Sequence, residues 1–305
     1  MLGARVIVVG DVIDDVIVVP QTAIRPDTDT RASITRHPGG SAGNTAAWLG
    51  SLGASVDFVG CVGRGDAERH GDVLRGHGVV PHLREHPSLS TGAIVIIVDG
   101  DVRTMLTDRG ANAGLDTAAI TEGMLADAGV LHLSGYSLVD ALTPTALVEL
   151  SRRAHAHGVR VTFDPGSTGF IADLGVDVVR SALVGVDVLL PNRDEALMLS
   201  GESDVSRAVA ALLELCPAVV MTGGSGAVLV GEREKPLVEV AVHARRAVDP
   251  TGAGDAFSAG FIAGLLRGLD LASAAAEGVE VAALAISRPG GRPHADVTPQ
   301  RQRSR

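Results

Sequence analysis

Aromatic side chains are nearly missing from this 305-residue sequence: five Phe, one Trp and one Tyr make up 2% of it. Aliphatic side chains and alanine must therefore fill the core. Lysine is scarcer still, since Lys235 is the sole example and every other formal cation is arginine. Acidic residues outnumber basic ones 36 to 26, giving a formal charge of -10. That balance argues against nucleic acid as the main partner, because a phosphate backbone needs a basic surface. A small anionic ligand, which needs only a local cradle of donors, stays open. The two cysteines, Cys61 and Cys216, are far apart and read as small buried hydrophobes of a reducing compartment. Val6–Val9 is too short for a signal peptide and is soon interrupted by Asp11. No stretch approaches the ~18 uncharged apolar residues of a membrane span. A cytoplasmic location is expected. No Walker A pattern precedes Lys235, no H-E-x-x-H or C-x-x-C occurs, and the lone His132 reads as a core residue.

What is present is a globular composition, 46% apolar and 20% charged, long enough for one or two domains. Short β-branched runs recur at 6–9, 56–59, 94–98, 130–133, 159–163, 186–190 and 218–222. Each is almost continuously apolar, as strands buried on both faces are. Helical stretches separate many of them, for example Asn44–Gly53 and Pro144–His157, the latter with Thr143 as cap and Pro144 in the first turn. The alternation predicts an α/β fold, a doubly wound, mostly parallel sheet flanked by helices, in one domain over 1–297. Residues 11–38 and 91–108 break the alternation with strand-like patches and no helices; they predict a small antiparallel β-flap near the sheet edge. Residues 298–305 form a basic tail without an apolar anchor, expected to be disordered.

Four segments could carry chemistry. Asp249-Pro-Thr-Gly-Ala-Gly-Asp255 is a glycine-rich turn entering an apolar helix. There Gly252, Ala253 and Gly254 would turn N–H groups toward an anion at the positive end of the helix dipole. An acid placed next to such a cradle would repel a phosphate, yet suits a base that accepts a proton during phosphoryl transfer. The alternative is that Asp255 merely complements the dipole. Pro38-Gly-Gly-Ser-Ala-Gly-Asn44 offers close backbone approach and an amide for sugar hydroxyls. Its rivals are a loop with Asn44 as helix cap, or a G-x-S-x-G nucleophile elbow, for which Arg36-His37-Pro38 makes a poor strand end. Asn192-Arg-Asp-Glu195 follows a buried strand, and its spacing of three could hold a hydrated Mg²⁺ bridging nucleotide phosphates, or equally form a capping box. Thr222-Gly-Gly-Ser-Gly226 joins two strand-like runs and reads as a hairpin turn.

Taken together and in this order, the four segments resemble the ribokinase family of sugar kinases, the PfkB-type carbohydrate kinases, over almost the whole chain from Val6 to about Gly291. The resemblance implies a doubly wound sheet with a β-flap lid over the sugar, and ATP and Mg²⁺ as cofactors. It implies Asp255 as base and Gly252–Gly254 as anion hole. Asp15, Gly39, Gly40 and Asn44 would bind sugar hydroxyls; Thr222, Gly224 and Gly226 would lie by the nucleotide, and Asn192 and Glu195 by Mg²⁺. Asp249 and Thr251, with carbonyls near Ser287 and Gly290, would hold a monovalent cation such as K⁺. Departures bear on the substrate. Ser41 stands where ribokinases have lysine, Ile13 where they have Asn, and Ser134-Gly-Tyr136 offers no carboxylate where they have a sugar-contacting Glu. D-Ribose is not the expected substrate. Asp108-Arg109-Gly-Ala-Asn112 falls where lid meets pocket, so Arg109 and Asn112 are substrate candidates, and Arg109 would favour an acidic sugar. A nucleoside would instead need Tyr136 and Phe170 as a platform. A non-catalytic sugar-binding regulator is a third reading, which the intact Asp255 and glycines disfavour. A homodimer through the flap is a further expectation.

Overall fold

The computed structural model describes residues 5–100, 102–138, 141–242, 248–288 and 290–294. The chain runs through β1 (Arg5–Val9), β2 (Ile13–Pro20), β3 (Ala32–Gly39), α1 (Ser41–Ser51), β4 (Val56–Gly63), α2 (Ala67–Gly76), β5 (Val79–His86), β6 (Gly92–Asp99) and β7 (Val102–Asp108). It continues with α3 (Glu122–Ala126), β8 (Ala128–Ser134), α4 (Pro144–Ala156), β9 (Arg160–Asp164), α5 (Thr168–Leu174), α6 (Val176–Ala182), β10 (Val188–Leu189), α7 (Arg193–Ser200) and α8 (Val205–Leu213). It closes with β11 (Ala218–Met221), β12 (Val228–Glu232), β13 (Val238–Val240), α9 (Ala253–Leu266) and α10 (Leu271–Ala285).

A nine-stranded sheet has the order β13-β12-β11-β10-β9-β8-β1-β4-β5. It is parallel from β11 to β5, and β12 and β13 extend it as antiparallel hairpins. Alternate residues of each strand feed two cores. Ile7, Val9, Leu131, Leu133 and Phe163 face one; Val6, Val8, Phe58, Val130 and Val220 face the other. This is why the central runs read as continuously apolar rather than alternating. The order reverses at β1, whose neighbours β8 and β4 lead to opposite edges, so the crevice beyond the carboxyl end of β1 is a topological switch point.

The run at 94–98 lies outside this sheet. It belongs to β6 of a separate four-stranded sheet, order β3-β2-β6-β7, which accounts for the two helix-free regions. That sheet is mixed rather than antiparallel throughout, because β2 and β6 pair in parallel while β2–β3 and β6–β7 pair antiparallel. Its central strands β2 and β6 are half-buried, while its outer strands β3 and β7 are largely exposed. Helix α4 begins as its sequence indicates, with Pro144 in the first turn and the Thr143 hydroxyl accepting from the Ala146 N–H. Helix α1 starts three residues earlier than Asn44. Cys61 and Cys216 are free and buried. The tail at 298–305 lies outside the described residues, as does Asp101 of the flap. No helix among the described residues is long and apolar enough to cross a membrane.

Helix α9 is buried on all sides from Ala256 to Leu265, and it packs on α10 through glycine. A Cβ at Gly260 would stand 2.9 Å from Glu277 O and Gly278 Cα, and 2.8 Å from the Val281 side chain. Gly260→Ala should therefore destabilise the fold by about 1–3 kcal/mol through overpacking. Thermal unfolding checks this; an unchanged midpoint would show that α9 and α10 can separate freely.

Candidate active site

At the switch point lies a cavity of about 840 Å³, bordered by the flap, the N-terminus of α1, the carboxyl ends of β9 to β11 and the N-terminus of α9. Gly252 caps α9 with φ 75°, and a Cβ there would fall 2.5 Å from Gly291 Cα, so only glycine fits on both counts. The Ala253 N–H is already bonded to Pro250 O at 3.2 Å, which leaves the Gly252 and Gly254 N–H groups as the donors without a partner among the described residues. Asp255 follows in the first turn. Its Oδ1 accepts from Ser41 Oγ at 2.7 Å and its Oδ2 from Asn44 Nδ2 at 2.9 Å. Loss of water pushes its carboxyl up to about 7, aided by the charges of Asp164 and Asp11 and opposed by the Asn44 and Ser41 hydrogen bonds.

The second helix entering the site is capped from afar. Asp11, just past β1, accepts from the Ser41 and Ala42 N–H groups at 3.2 and 3.1 Å, and its own carbonyl takes the Gly43 N–H. Asn44 thus sits inside α1 and is no cap. Arg36-His37-Pro38 does form the end of a strand, so the strand–turn–helix geometry of a nucleophile elbow exists after all, with Gly40 at φ 91° as the turn. Ser41, however, donates to a carboxylate instead of facing an imidazole. Gly39 borders Asp15: a Cβ on it would collide with the Asp15 carboxylate at 2.4 Å. Burial raises Asp15 to about 6, against the pull of Arg292, with Asp11 and Asp14 adding to the rise.

Arg109 reaches this end of the cavity. Its Nη2 donates to Tyr136 O at 2.7 Å, its Nη1 lies 3.7 Å from Asp11, and its Nε is buried without a partner among the described residues. Its Cζ stands 5.5 Å from the Tyr136 ring centre and 5.9 Å from that of Phe170. Asn112 does not reach the cavity. Its amide is fully engaged with the Val12 N–H and C=O and with Arg109 O, each at 2.9 Å, so it braces the turn that carries Arg109.

On the opposite side, Asn192 and Glu195 do form a capping box, and both also line the cavity. The two sequence readings coexist. Glu195 is raised to about 7, chiefly by burial. Asp164, at the end of β9, is raised to about 8 by burial and then by the charge of Glu195. Thr222 lines the cavity and bridges to Asn192, whereas Gly224 and Gly226 belong to the β11–β12 hairpin turn and do not border it. Asp164 and Asp11 escape motif reading because each is a lone carboxylate. Their signal is position, an acid closing a parallel apolar strand. These are hard oxygen donors, and burial raises both carboxylates, so Asn192, Glu195 and Asp164 could hold a divalent cation that would relieve it.

Asp249 shows a different balance. Its Oδ1 takes the Thr251 N–H at 3.0 Å and Arg103 Nη1 at 3.1 Å; its Oδ2 takes the Gly290 N–H at 3.1 Å. Arg103, from β7 of the flap, also donates to Thr251 Oγ at 2.9 Å. Burial raises this carboxyl, but the Thr251 and Gly290 N–H groups and Arg103 outweigh it and bring it to about 2. Ser287 turns its hydroxyl to Leu284 O. Among the described residues, the Arg103 guanidinium is the cation that faces Asp249.

The sequence profile of pfkB family carbohydrate kinases matches residues 4–297. The chain belongs to the PfkB carbohydrate kinase family. It is 32% identical to the ATP-dependent ribose-1-phosphate kinase of Halopiger xanaduensis, across 89% of this chain and 90% of that protein. It is 31% identical to the bifunctional protein HldE of Caulobacter vibrioides, covering 77% of this chain and 49% of that one. The adenosine kinase of Sinorhizobium meliloti has the same fold, with a TM-score of 0.84 and 26% identity over 97% of this chain and 98% of that one. This PfkB protein is therefore a sugar or nucleoside kinase of the ribokinase type, a phosphotransferase with a hydroxyl acceptor.

The raised carboxylates fix a sign for pH. Asp164, Glu195, Asp255 and Asp15 are all raised above their unfolded values, so each favours the folded state when protonated. Their contribution is complete below about pH 4 and is lost as pH rises through about 6 to 8. With a chelator present, the unfolding midpoint should fall between pH 5.5 and 8.5, and Asp164→Asn should flatten the decline. Mg²⁺ should raise the midpoint more at pH 8 than at pH 5.5, because binding displaces protons. A flat chelated profile would contradict the shared burial of these groups.

Proposed function

We propose that this kinase moves the terminal phosphoryl group of MgATP to a hydroxyl of a small sugar or sugar acid, with Asp255 as the base. The observation that carries the reading is the carboxylate itself. It stands one turn inside the glycine-capped end of α9, beside two N–H donors, with both oxygens oriented by Ser41 and Asn44. A base whose pKa is raised to about 7 is well matched to neutral pH. In this reading Asp255 takes the proton of the acceptor hydroxyl while Gly252, Ala253 and Gly254 receive the charge of the transferring group. Ala253 can contribute its N–H only by leaving Pro250 O. Asp15, Gly40 and Asn44 orient the acceptor, and Gly39 makes room for Asp15. Thr222 borders the nucleotide. Asn192, Glu195 and Asp164 would hold Mg²⁺, which would supply charge neutralisation to the phosphates. ATP as donor is supported by the similarity to the ATP-dependent kinase of Halopiger xanaduensis, and the cytoplasm is the compartment that supplies it.

Arg109 supports an anionic acceptor, because its guanidinium lines the cavity with an Nε that has no partner among the described residues. The Tyr136–Phe170 pair, with centroids 4.9 Å apart, supports a nucleoside as the second reading. The flap acts as lid in either case, and Arg103 ties it to Asp249 and Thr251. Its face turned from the cavity carries Ile34, Val102 and Leu106, about three-fifths exposed, and a second copy of the chain is the occupant we assign to it.

Asp255→Asn should cut turnover by ~10²–10⁴-fold and leave nucleotide binding near wild type; turnover within a few-fold of wild type would refute the role. An ADP-release screen over sugars, sugar acids and nucleosides identifies the acceptor. Arg109→Met should raise KM for an acidic sugar by about tenfold or more and leave neutral sugars unchanged. Preferred turnover of nucleosides, insensitive to Arg109→Met, would favour the aromatic pair.

A further inference from the structure

Behind the wall of the active site, the segment that follows α10 touches both glycine-rich turns. The Gly290 N–H bonds Asp249, Gly291 lies against Gly252, and Gly291 O accepts from Trp48 Nε1 at 2.9 Å. Arg292 completes the segment. Its Nη2 donates to Gly39 O at 2.9 Å and its Nε to Asn44 Oδ1 at 3.2 Å. The guanidinium borders a small cleft beside Trp48 and does not line the large cavity, so it acts through other residues.

An asparagine amide has two chemically opposite ends on nearly equal shapes. Only its NH₂ end can serve a carboxylate; the carbonyl end, turned toward Asp255, would repel it. Asn44 is 6% exposed, so water cannot decide between the two orientations. Arg292 can decide, because a guanidinium offers donors alone and must face the carbonyl oxygen. Its close fit leaves little alternative: a Cβ on Gly43 would stand 2.7 Å from Nη2, and one on Gly291 would stand 2.6 Å from Asn44 Nδ2.

We propose that Arg292 is a positioning residue for the phosphoryl-transfer base: it clamps the Asn44 amide with its NH₂ group toward Asp255 while holding the Gly39 carbonyl beside Asp15. This inference rests on the reading of Asp255 as base. The relay is directional, from guanidinium to amide oxygen and from amide NH₂ to carboxylate. Ser41 orients the other carboxylate oxygen and has no bond to Arg292, so one oxygen of Asp255 is under the control of this relay and one is not. The enclosing acids are consistent with a fixed cation here. Burial lowers the Arg292 pKa only to about 10, with Asp15, Asp11, Asp255 and Asp14 supporting its charge.

The test combines kinetics with a signal that needs no substrate. Turnover is read as ADP released from MgATP, with the acceptor found by the screen above and, independently, with water alone. Arg292→Met should lower kcat by ~10- to 100-fold with KM for MgATP within about threefold, and Arg292→Lys should recover part of the loss. In an Asn44→Leu background, Arg292→Met should cost less than about threefold, since the relay is already cut. The Asn44 side-chain NH₂ resonance, assigned by its loss in Asn44→Leu, should shift in Asp255→Asn and lose that sensitivity once Arg292→Met is added. Equal losses in both backgrounds, or an Asn44 resonance indifferent to Arg292, would overturn the proposal. Failure of the base reading looks different: Asp255→Asn would keep its turnover while the Asn44 resonance still reported the contact. Should Arg292→Met not fold, Arg292→Lys and the resonance in the folded variants decide.

Discussion

A single carboxylate joins two halves of the chain that are 214 residues apart. Asp255 receives one hydrogen bond from the first residue of α1 and another from its fourth. That contact requires both helices to aim their N-termini at one point, which in turn requires the two glycine turns that launch them. Gly40 and Gly252 stand in left-handed or otherwise positive-φ conformations and press on Asp11 and Gly291. The parallel sheet supplies the rest of the alignment, since β1 and its neighbours end at the same level. Two positive helix ends converging on one acid make a place where negative charge is both concentrated and tolerated.

The acids around that point are more numerous than the cations that face them. Asp11, Asp15, Asp164, Glu195 and Asp255 all border the cavity, and four of them are raised by burial. Arg109, Arg103 and Arg292 stand at three separate positions: the cavity end beside Asp11, the β7 strand of the flap against Asp249, and the back wall. Arginine suits all three because its planar fork serves two acceptors at once. The near absence of lysine in the chain is thus consistent with how its cations are used. Among the described residues no cationic side chain answers Asp164 and Glu195, and that is the charge a divalent ion would add.

Motifs carried most of what the sequence could reveal. Gly252 and Asp255, Asn192 and Glu195, Gly40 and Asn44 were legible because each pair sits within a few residues, where spacing alone implies shared geometry. The parallel sheet was legible because strands buried on both faces lose their alternation. What stayed hidden is tertiary. Asp11 caps a helix that begins thirty residues later, and nothing near it in sequence announces that. Asn112 resembled a ligand contact, yet its donors and acceptor are matched to the backbone of Val12, a hundred residues away. Arg103 and Arg292 are isolated arginines in unremarkable segments, and their partners are assembled only by folding. The flap's parallel β2–β6 pairing was missed for the same reason, as pattern reports which residues are apolar but not which strand they meet.

The segment 290–292 has a consequence for biosynthesis. It is the last described part of the chain to touch the site, and it holds Asp249, Trp48, Asn44 and Gly39 together. On the ribosome, residues 290–292 emerge after every described strand and helix, so Asp255 and both glycine turns leave the exit tunnel before their fastening does. During that interval the growing chain can collapse its sheet and still lack a formed pocket. The contacts that Asp249, Trp48, Asn44 and Gly39 make with this segment therefore form after the elements they fasten, so closure of the pocket wall comes late in the order of synthesis.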